Sequence, residues 1–277
     1  MIIDAQAHLW KPKAPDRPWP SDGAARAHLP YALTYEMMRE IMDEAGVDRV
    51  VIVPPSWEGD RNDFALEAAQ KYPDRFAVMG RIPLERPEAK KLIATWLDQP
   101  GMLGVRLTFA GEQLNWLTDG TIDWFWPMAA EAGIPIMAHT PMHMADVARI
   151  IRNHPRLVWI IDHMGMSMQI SRDNRRAEAV TRTCSLARFP NVHVKLSSAP
   201  SYSHEMYPFA DMARYIYKIV EAFGARRCFW GTDLTQAFTK CTYRERVTHF
   251  TERLDFLSTS DKEWIMGRAI SECLRWP

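Results

Sequence analysis

The chain has 277 residues, of which 47% are apolar, and its 34 basic and 34 acidic side chains balance to a formal net charge of +0. That apolar content is too high for a disordered chain, and the balanced charge leaves no electrostatic footprint for nucleic acid or an anionic membrane. No stretch reaches the roughly 18 consecutive apolar residues of a membrane span, and no Gly/Ser linker or break in composition divides the chain, so one domain over 1–277 is expected.

The first apolar run, near residues 2–8, reads as a strand and carries Asp4, Gln6 and His8. It begins at once, with no charged leader ahead of it, so a secretion signal is not expected. A long segment follows, from about Leu9 to Leu33, with Pro12, Pro15, Pro18, Pro20 and Pro30. A loop of that length is commonly functional, and this one reads either as a stiffened lid or as a surface excursion over the rim. Thr34 is placed to cap a helix in which Met37, Met38, Ile41, Met42 and Ala45 recur at helical spacing.

Strand-like runs then recur near 47–55, 76–84, 102–109, 134–140, 157–163, 192–198 and 227–234. Val50–Val53 and Val158–Ile161 are continuous apolar stretches, as expected of strands buried on both faces. Helical stripes separate the runs, among them Met144, Val147, Ala148 and Ile151, and later Ala213, Ile216, Tyr217 and Val220. A last helix is expected near 261–274, with Asp261 as its cap. Alternating strand and helix implies a parallel α/β sheet, and eight such units favour a closed (β/α)8 TIM barrel. The barrel would carry a long loop after strand one and an extra C-terminal helix. No GxGxxG or GxxxxGK[ST] pattern supports a nucleotide-binding open sheet.

The four cysteines, Cys184, Cys228, Cys241 and Cys273, form no CxxC pair and read as reduced thiols of a cytoplasmic protein. Chemistry-bearing side chains fall at strand ends: Gln6 and His8 on the first, His139 on the fifth, His163 on the sixth and Asp233 on the eighth. A barrel gathers those ends on one face, where catalytic groups sit. A lone histidine near a strand end is commonly a structural hydrogen-bonder, and Asp4 and Asp162 read as acids bonding backbone at the sheet ends. Four coincident strand ends favour a site over separate structural roles.

Asp4-Ala5-Gln6-Ala7-His8, Ala138-His139-Thr140, Asp162-His163-Met164-Gly165, Gly231-Thr232-Asp233 and the closing Gly267-Arg268-Ala269 together resemble the amidohydrolase superfamily. The likeness is to its amidohydrolase-related branch of lactonases and decarboxylases, including the 2-pyrone-4,6-dicarboxylate lactonase type and sugar lactonases. The resemblance implies a hydrolase that opens a lactone or similar carboxylic ester of a small organic acid. It maps metal-holding positions onto Gln6, His8, His139 and Asp233. Gln6 departs from the pattern, because an amide oxygen is a neutral ligand where zinc favours imidazole, thiolate or carboxylate. Chemistry without an obligatory metal is therefore favoured. The alternative is one divalent ion, zinc, held by His8, His139 and Asp233.

In either case Asp233 is expected to activate water as general base. His8, His139 and His163 would then polarise the carbonyl, orient the water or protonate the leaving oxygen, and Gln6 would help bind an oxyanion. Arg106 in strand four and Arg81 near the end of strand three are buried charges that need partners. They pair internally, with an acid such as Asp4 or Glu85, or they bind a substrate carboxylate; Lys195 in strand seven follows the same logic. Trp10, Trp19, Trp57 and Trp116, with Met142, Met144, Met164, Met166 and Met168, suggest an apolar mouth or a homodimer contact. Two other readings stay open: a metal-dependent decarboxylase, and a non-catalytic binding protein on a decayed scaffold.

Overall fold

Eight strands, all parallel, follow one another around a single sheet in chain order. The structure, a computed structural model, describes residues 1–19 and 29–276. The strands are β1 Ile3–Ala7, β2 Arg49–Ile52, β3 Phe76–Gly80, β4 Met102–Thr108, β5 Ile136–His139, β6 Trp159–Ile161, β7 Val192–Ser197 and β8 Cys228–Gly231. Each lies within the run read from the sequence. The ring closes just beyond β8: the His8 amide donates to the Leu234 carbonyl at 2.7 Å, and the Asp233 amide to the Gln6 carbonyl at 2.9 Å. This is a (β/α)8 barrel.

A helix follows every strand, and the apolar stripes explain which side faces inward. The helix Tyr35–Ala45 starts at Thr34, whose hydroxyl accepts the Met37 amide, and ends at Gly46, whose φ of 72° a side chain would resist. It buries Tyr35, Met38 and Met42, while Met37 turns to solvent. In the helix Ala210–Phe223 the buried face runs through Met212, Ile216 and Ile219, so Tyr217 is exposed and the expected stripe is rotated by about one position. The C-terminal helix starts earlier than expected. Ser258 caps it and Asp261 is the third residue, the two bonding each other's amides in a capping box. Asp261 carries the acid of that box, which is why its position resembles a cap in sequence.

The barrel interior is filled in layers. Ile3, Ala5, Val51, Ala77, Met79, Met137, Ile160 and Phe229 pack with Trp264, Ile270 and Leu274 of the terminal helical segment. That segment closes the N-terminal mouth: a Cβ on Gly267 would lie 2.5 Å from the Met1 carbonyl oxygen, so only glycine permits the approach. The opposite, C-terminal mouth carries the long loop after β1. Pro20 of that loop lies outside the described residues. Its near flank is anchored by Arg17, which pairs with Asp63 and with Glu58 at 2.9 Å, and by Trp19 packing edge-on against Trp57. The four cysteines are free thiols. Among the described residues no helix is long and apolar enough to cross a membrane.

Candidate active site

A cavity of about 450 Å³ opens at the C-terminal mouth. Gln6, His8, Arg81, Arg106, His139, His163 and Asp233 all line it, so strands one, three, four, five, six and eight deliver their marked residues to one space. Trp10, Trp57 and Met168 form its apolar side. Met144, Met164 and Met166 are instead buried in the packing behind the mouth, and Trp116 lines a neighbouring cavity. Lys195 does not reach the cavity surface; it lies fully buried beneath the site.

Sequence reasoning missed Ser197, Ser198, Thr108 and Tyr202. Ser198 and Tyr202 line the cavity, and Ser197 and Ser198 sit at the end of β7. The strand-end rule that selected the histidines would have found the two serines. The backbone at these ends is unusual. His163, Met164, Ser198 and Asp233 all have φ between 52° and 62°. Non-glycine residues rarely adopt that region, and they do so where surrounding packing enforces it, often at functional sites.

Asp233 is the centre of a buried network. Gln6 Nε2 donates to its Oδ1 at 2.6 Å, His8 Nε2 lies 3.1 Å from the same oxygen, and the Ser198 hydroxyl donates to Oδ2. Burial alone would raise this carboxyl, but the imidazoles of His163 and His8 and the Ser198 hydroxyl outweigh it and hold it far below the usual range. Asp233 is therefore an anion at any physiological pH.

One layer down, Lys195 Nζ donates to Gln6 Oε1 and lies 2.6 Å from Asp162 Oδ1, while Arg106 Nε lies 2.5 Å from Asp162 Oδ2. Burial would raise Asp162 too, yet the two cations keep it well below the ordinary carboxylate value. Asp162 thus pairs with cations, not with backbone as its sequence context suggested. Asp4 does bond backbone: it accepts from the Gln6 and Thr232 amides at 3.0 and 2.8 Å, and from the Tyr243 hydroxyl at 2.9 Å. Burial nonetheless pushes its carboxyl upward.

The histidines differ in what they can do. His8 Nδ1 is 2.7 Å from the Val53 carbonyl oxygen, which can only accept, so that nitrogen carries a proton and Nε2 faces Asp233 and Gln6. His139 Nε2 donates to the Met166 carbonyl at 3.1 Å, and burial followed by the Arg106 charge keeps the ring neutral. Its Nδ1 is left as an acceptor. His163 is pushed down to about 3, chiefly by burial, and is neutral. Its Nδ1 meets the Ser197 hydroxyl at 2.8 Å, and Nε2 faces Asp233 Oδ2 at 3.8 Å. The Ser198 hydroxyl also lies 3.2 Å from Nδ1, so both serines at the end of β7 converge on that nitrogen.

The expectation of an internal pair holds for Arg106, with Asp162 as the acid in place of Asp4 or Glu85. Arg106 pairs with Asp162, and both guanidiniums contact the Thr108 hydroxyl. Arg81 Nε donates to the Pro54 carbonyl at 2.6 Å, and among the described residues no carboxylate forms an ion pair with Arg81. Burial, then the nearby Arg106 charge, pushes it down to about 9, so it still carries its proton at neutral pH.

The donor set fits a divalent metal poorly. The Gln6 oxygen, the one metal-binding atom of that side chain, is taken by the Lys195 ammonium. The Gln6 NH2 group points at His8 Nε2 and Asp233 Oδ1, the two ligand atoms a cation would need. Among the described residues no group of three or more His, Cys, Asp or Glu is arranged to hold a metal ion.

The sequence profile of the family described as Amidohydrolase matches residues 3–272. An L-fucono-1,5-lactonase from Burkholderia ambifaria is 30% identical over 246 residues, covering 83% of this chain and 79% of the relative. Among solved structures, an amidohydrolase from Burkholderia multivorans with bound zinc superposes with a TM-score of 0.85 at 20% identity, covering 100% of both chains. A probable 2-pyrone-4,6-dicarboxylic acid hydrolase from Acinetobacter baumannii, with citric acid bound, gives 0.79 at 21% identity over 99% of both chains. At that identity the two structures speak for the fold alone.

Proposed function

This chain belongs to the amidohydrolase family, and from that premise we propose that it hydrolyses the ring ester of a small lactone, without an obligatory metal. The observation that carries the reading is the cluster at the cavity floor: an ionised Asp233, fixed on both oxygens, beside neutral His163 and within the same space as Arg81 and Arg106. A lactonase relative supports the substrate class, and a cavity of about 450 Å³ suits a single sugar-sized ring.

Water attacks the lactone carbonyl carbon as Asp233 takes its proton. The acid's low proton affinity makes it a weak base, which His8, 3.1 Å from Oδ1, offsets by sharing the proton. The guanidiniums of Arg106 and Arg81 face the developing oxyanion or a carboxylate of the substrate. His139, a hydrogen-bond acceptor through Nδ1, orients the water or a ring hydroxyl. As the ring C–O bond breaks, the leaving oxygen takes up the proton that Asp233 removed from water, and His163, which lines the same cavity, hydrogen-bonds that oxygen. Gln6 holds Asp233, and Lys195 acts from beneath through Gln6 and not on substrate directly.

The decarboxylase reading calls for a firm metal site and loses support from the Gln6 amide, whose donors face the ligand atoms. A binding protein on a decayed scaffold loses support from the complete Asp233 network. The test is ring opening of hexono-1,5-lactones and pyrone carboxylates, followed by acid release in weakly buffered solution, with carbon dioxide measured in parallel on hydroxybenzoates. Turnover of a lactone well above its spontaneous hydrolysis is expected. Carbon dioxide release with no lactone opening would overturn the proposal.

A further inference from the structure

Lys195 is not among the residues that line the cavity. It is fully buried on β7, and among the described residues its ammonium meets Gln6 Oε1, Asp162 Oδ1 at 2.6 Å and the Met137 sulfur at 3.4 Å. An ammonium donates and cannot accept. It therefore fixes which end of the Gln6 amide it meets: the oxygen. The NH2 group must then face the other way, where it lies 2.6 Å from Asp233 Oδ1 and 3.2 Å from His8 Nε2. Turning the amide over would set two donors against each other at Lys195 and bring the Gln6 oxygen up to the Asp233 carboxylate.

We propose that Lys195 is a positioning residue that excludes divalent metal from this barrel, by holding the Gln6 NH2 group in the gap between His8 and Asp233. A hydrogen-bond donor then fills the place where a cation would gather the His8 nitrogen, the Asp233 oxygen and an oxygen from position 6. The resident positive charge sits one layer deeper, on Lys195, balanced by Asp162. Whether a metal binds is thus set by the facing of one amide, and a single buried ammonium sets that facing. The inference rests on the metal-free reading of the site and is independent of which lactone is the substrate.

The test is metal content. Wild type, Gln6→Glu and Lys195→Met are purified without chelator, incubated with zinc, desalted and analysed for zinc per chain, with affinity from a chromophoric zinc competitor. Gln6→Glu keeps size and lets one oxygen stay on Lys195 while the other turns to His8 and Asp233. Lys195→Met frees the amide to rotate. Wild type should hold little zinc, and each variant should bind about one ion at least about 100-fold more tightly, because a donor is exchanged for an oxygen ligand. Zinc should also raise the melting temperature of the variants and not of wild type. If Lys195→Met fails to fold, Gln6→Glu alone decides whether the amide blocks the site. Wild type retaining about one tightly bound zinc overturns the proposal, as do variants that bind no better than wild type. Uptake by Gln6→Glu with a folded Lys195→Met that stays empty refutes the part given to Lys195. Failure of lactone hydrolysis would leave these readings untouched, so the two ideas fail separately.

Discussion

Replacing Asp162 by Asn should destabilise the barrel more than any change at the cavity surface. The carboxylate is fully buried, 2.5 Å from Arg106 Nε and 2.6 Å from Lys195 Nζ. An asparagine keeps the volume but offers no charge, and its NH2 group must face one of the two cations. Removing one member of a buried ion pair costs about 3–5 kcal/mol, because the remaining charge is left uncompensated. Unfolding entropy of about 2.1 cal/mol/K per residue, over 277 residues, is about 0.6 kcal/mol/K. The melting temperature should therefore fall by about 5–9 °C in calorimetry at neutral pH. The effect has a pH signature. The folded carboxyl sits below its unfolded value, so its contribution is present above about pH 4 and lost as pH falls towards the folded pKa. Wild type and Asp162→Asn should thus converge on acidification. A drop smaller than about 2 °C at pH 7 would show that Asp162 does not carry the two cations, and the layered account of the site would fail with it.

Asp233→Asn should lower kcat by about 10²–10⁴, the range of general-base catalysis, with the far-ultraviolet spectrum unchanged; near-normal turnover would remove Asp233 from the mechanism. Arg81→Met should raise KM about tenfold or more for lactones bearing a carboxylate and leave neutral lactones little affected. Equal losses on both would remove the carboxylate-binding role and leave Arg81 to the oxyanion or the barrel wall. Buried neutral histidines predict an acid-side loss of stability: burial pushes His163 down to about 3 and His193 and His249 down to about 4. An unfolded histidine takes its proton below about pH 6.5 and the folded ones do not, so the unfolded state gains protons first. Stability should decline from pH 6.5 towards pH 4, and a melting temperature constant over that interval would contradict the burial of these rings.

The barrel was legible because its strands are buried on both faces and so appear as uninterrupted apolar runs, such as Val50–Val53 and Val158–Ile161. Helix facing was less so. Tyr217 fits an apolar stripe but lies at 48% exposure, since the stripe of Ala210–Phe223 is wide enough to be read in two rotations. Gln6, His8, His139, His163 and Asp233 were recoverable from strand ends alone, because closure of the sheet puts all such ends on one face. The hydrogen-bond pattern was not recoverable. That Asp162 serves Arg106 and Lys195, or that Lys195 stops short of the cavity, depends on side-chain reach across the barrel axis, which spacing along one strand does not encode. Ser198 was overlooked because a serine after a strand is common and its left-handed backbone has no sequence mark.

The seam between β1 and β8 has a consequence for how the protein acquires its activity. Gln6 meets Asp233, Asp4 meets Thr232, and Tyr243 reaches back to Asp4, contacts that span 227 to 239 positions. In the proposed site Gln6 and His8 thus come from the first strand and Asp233 from just beyond the eighth, with the other lining residues supplied by strands between them. In the proposed mechanism a chain lacking the eighth strand lacks Asp233, so turnover is expected only once the last repeat docks onto the first. Recovery of enzymatic rate on refolding would then report ring completion at the β1–β8 seam.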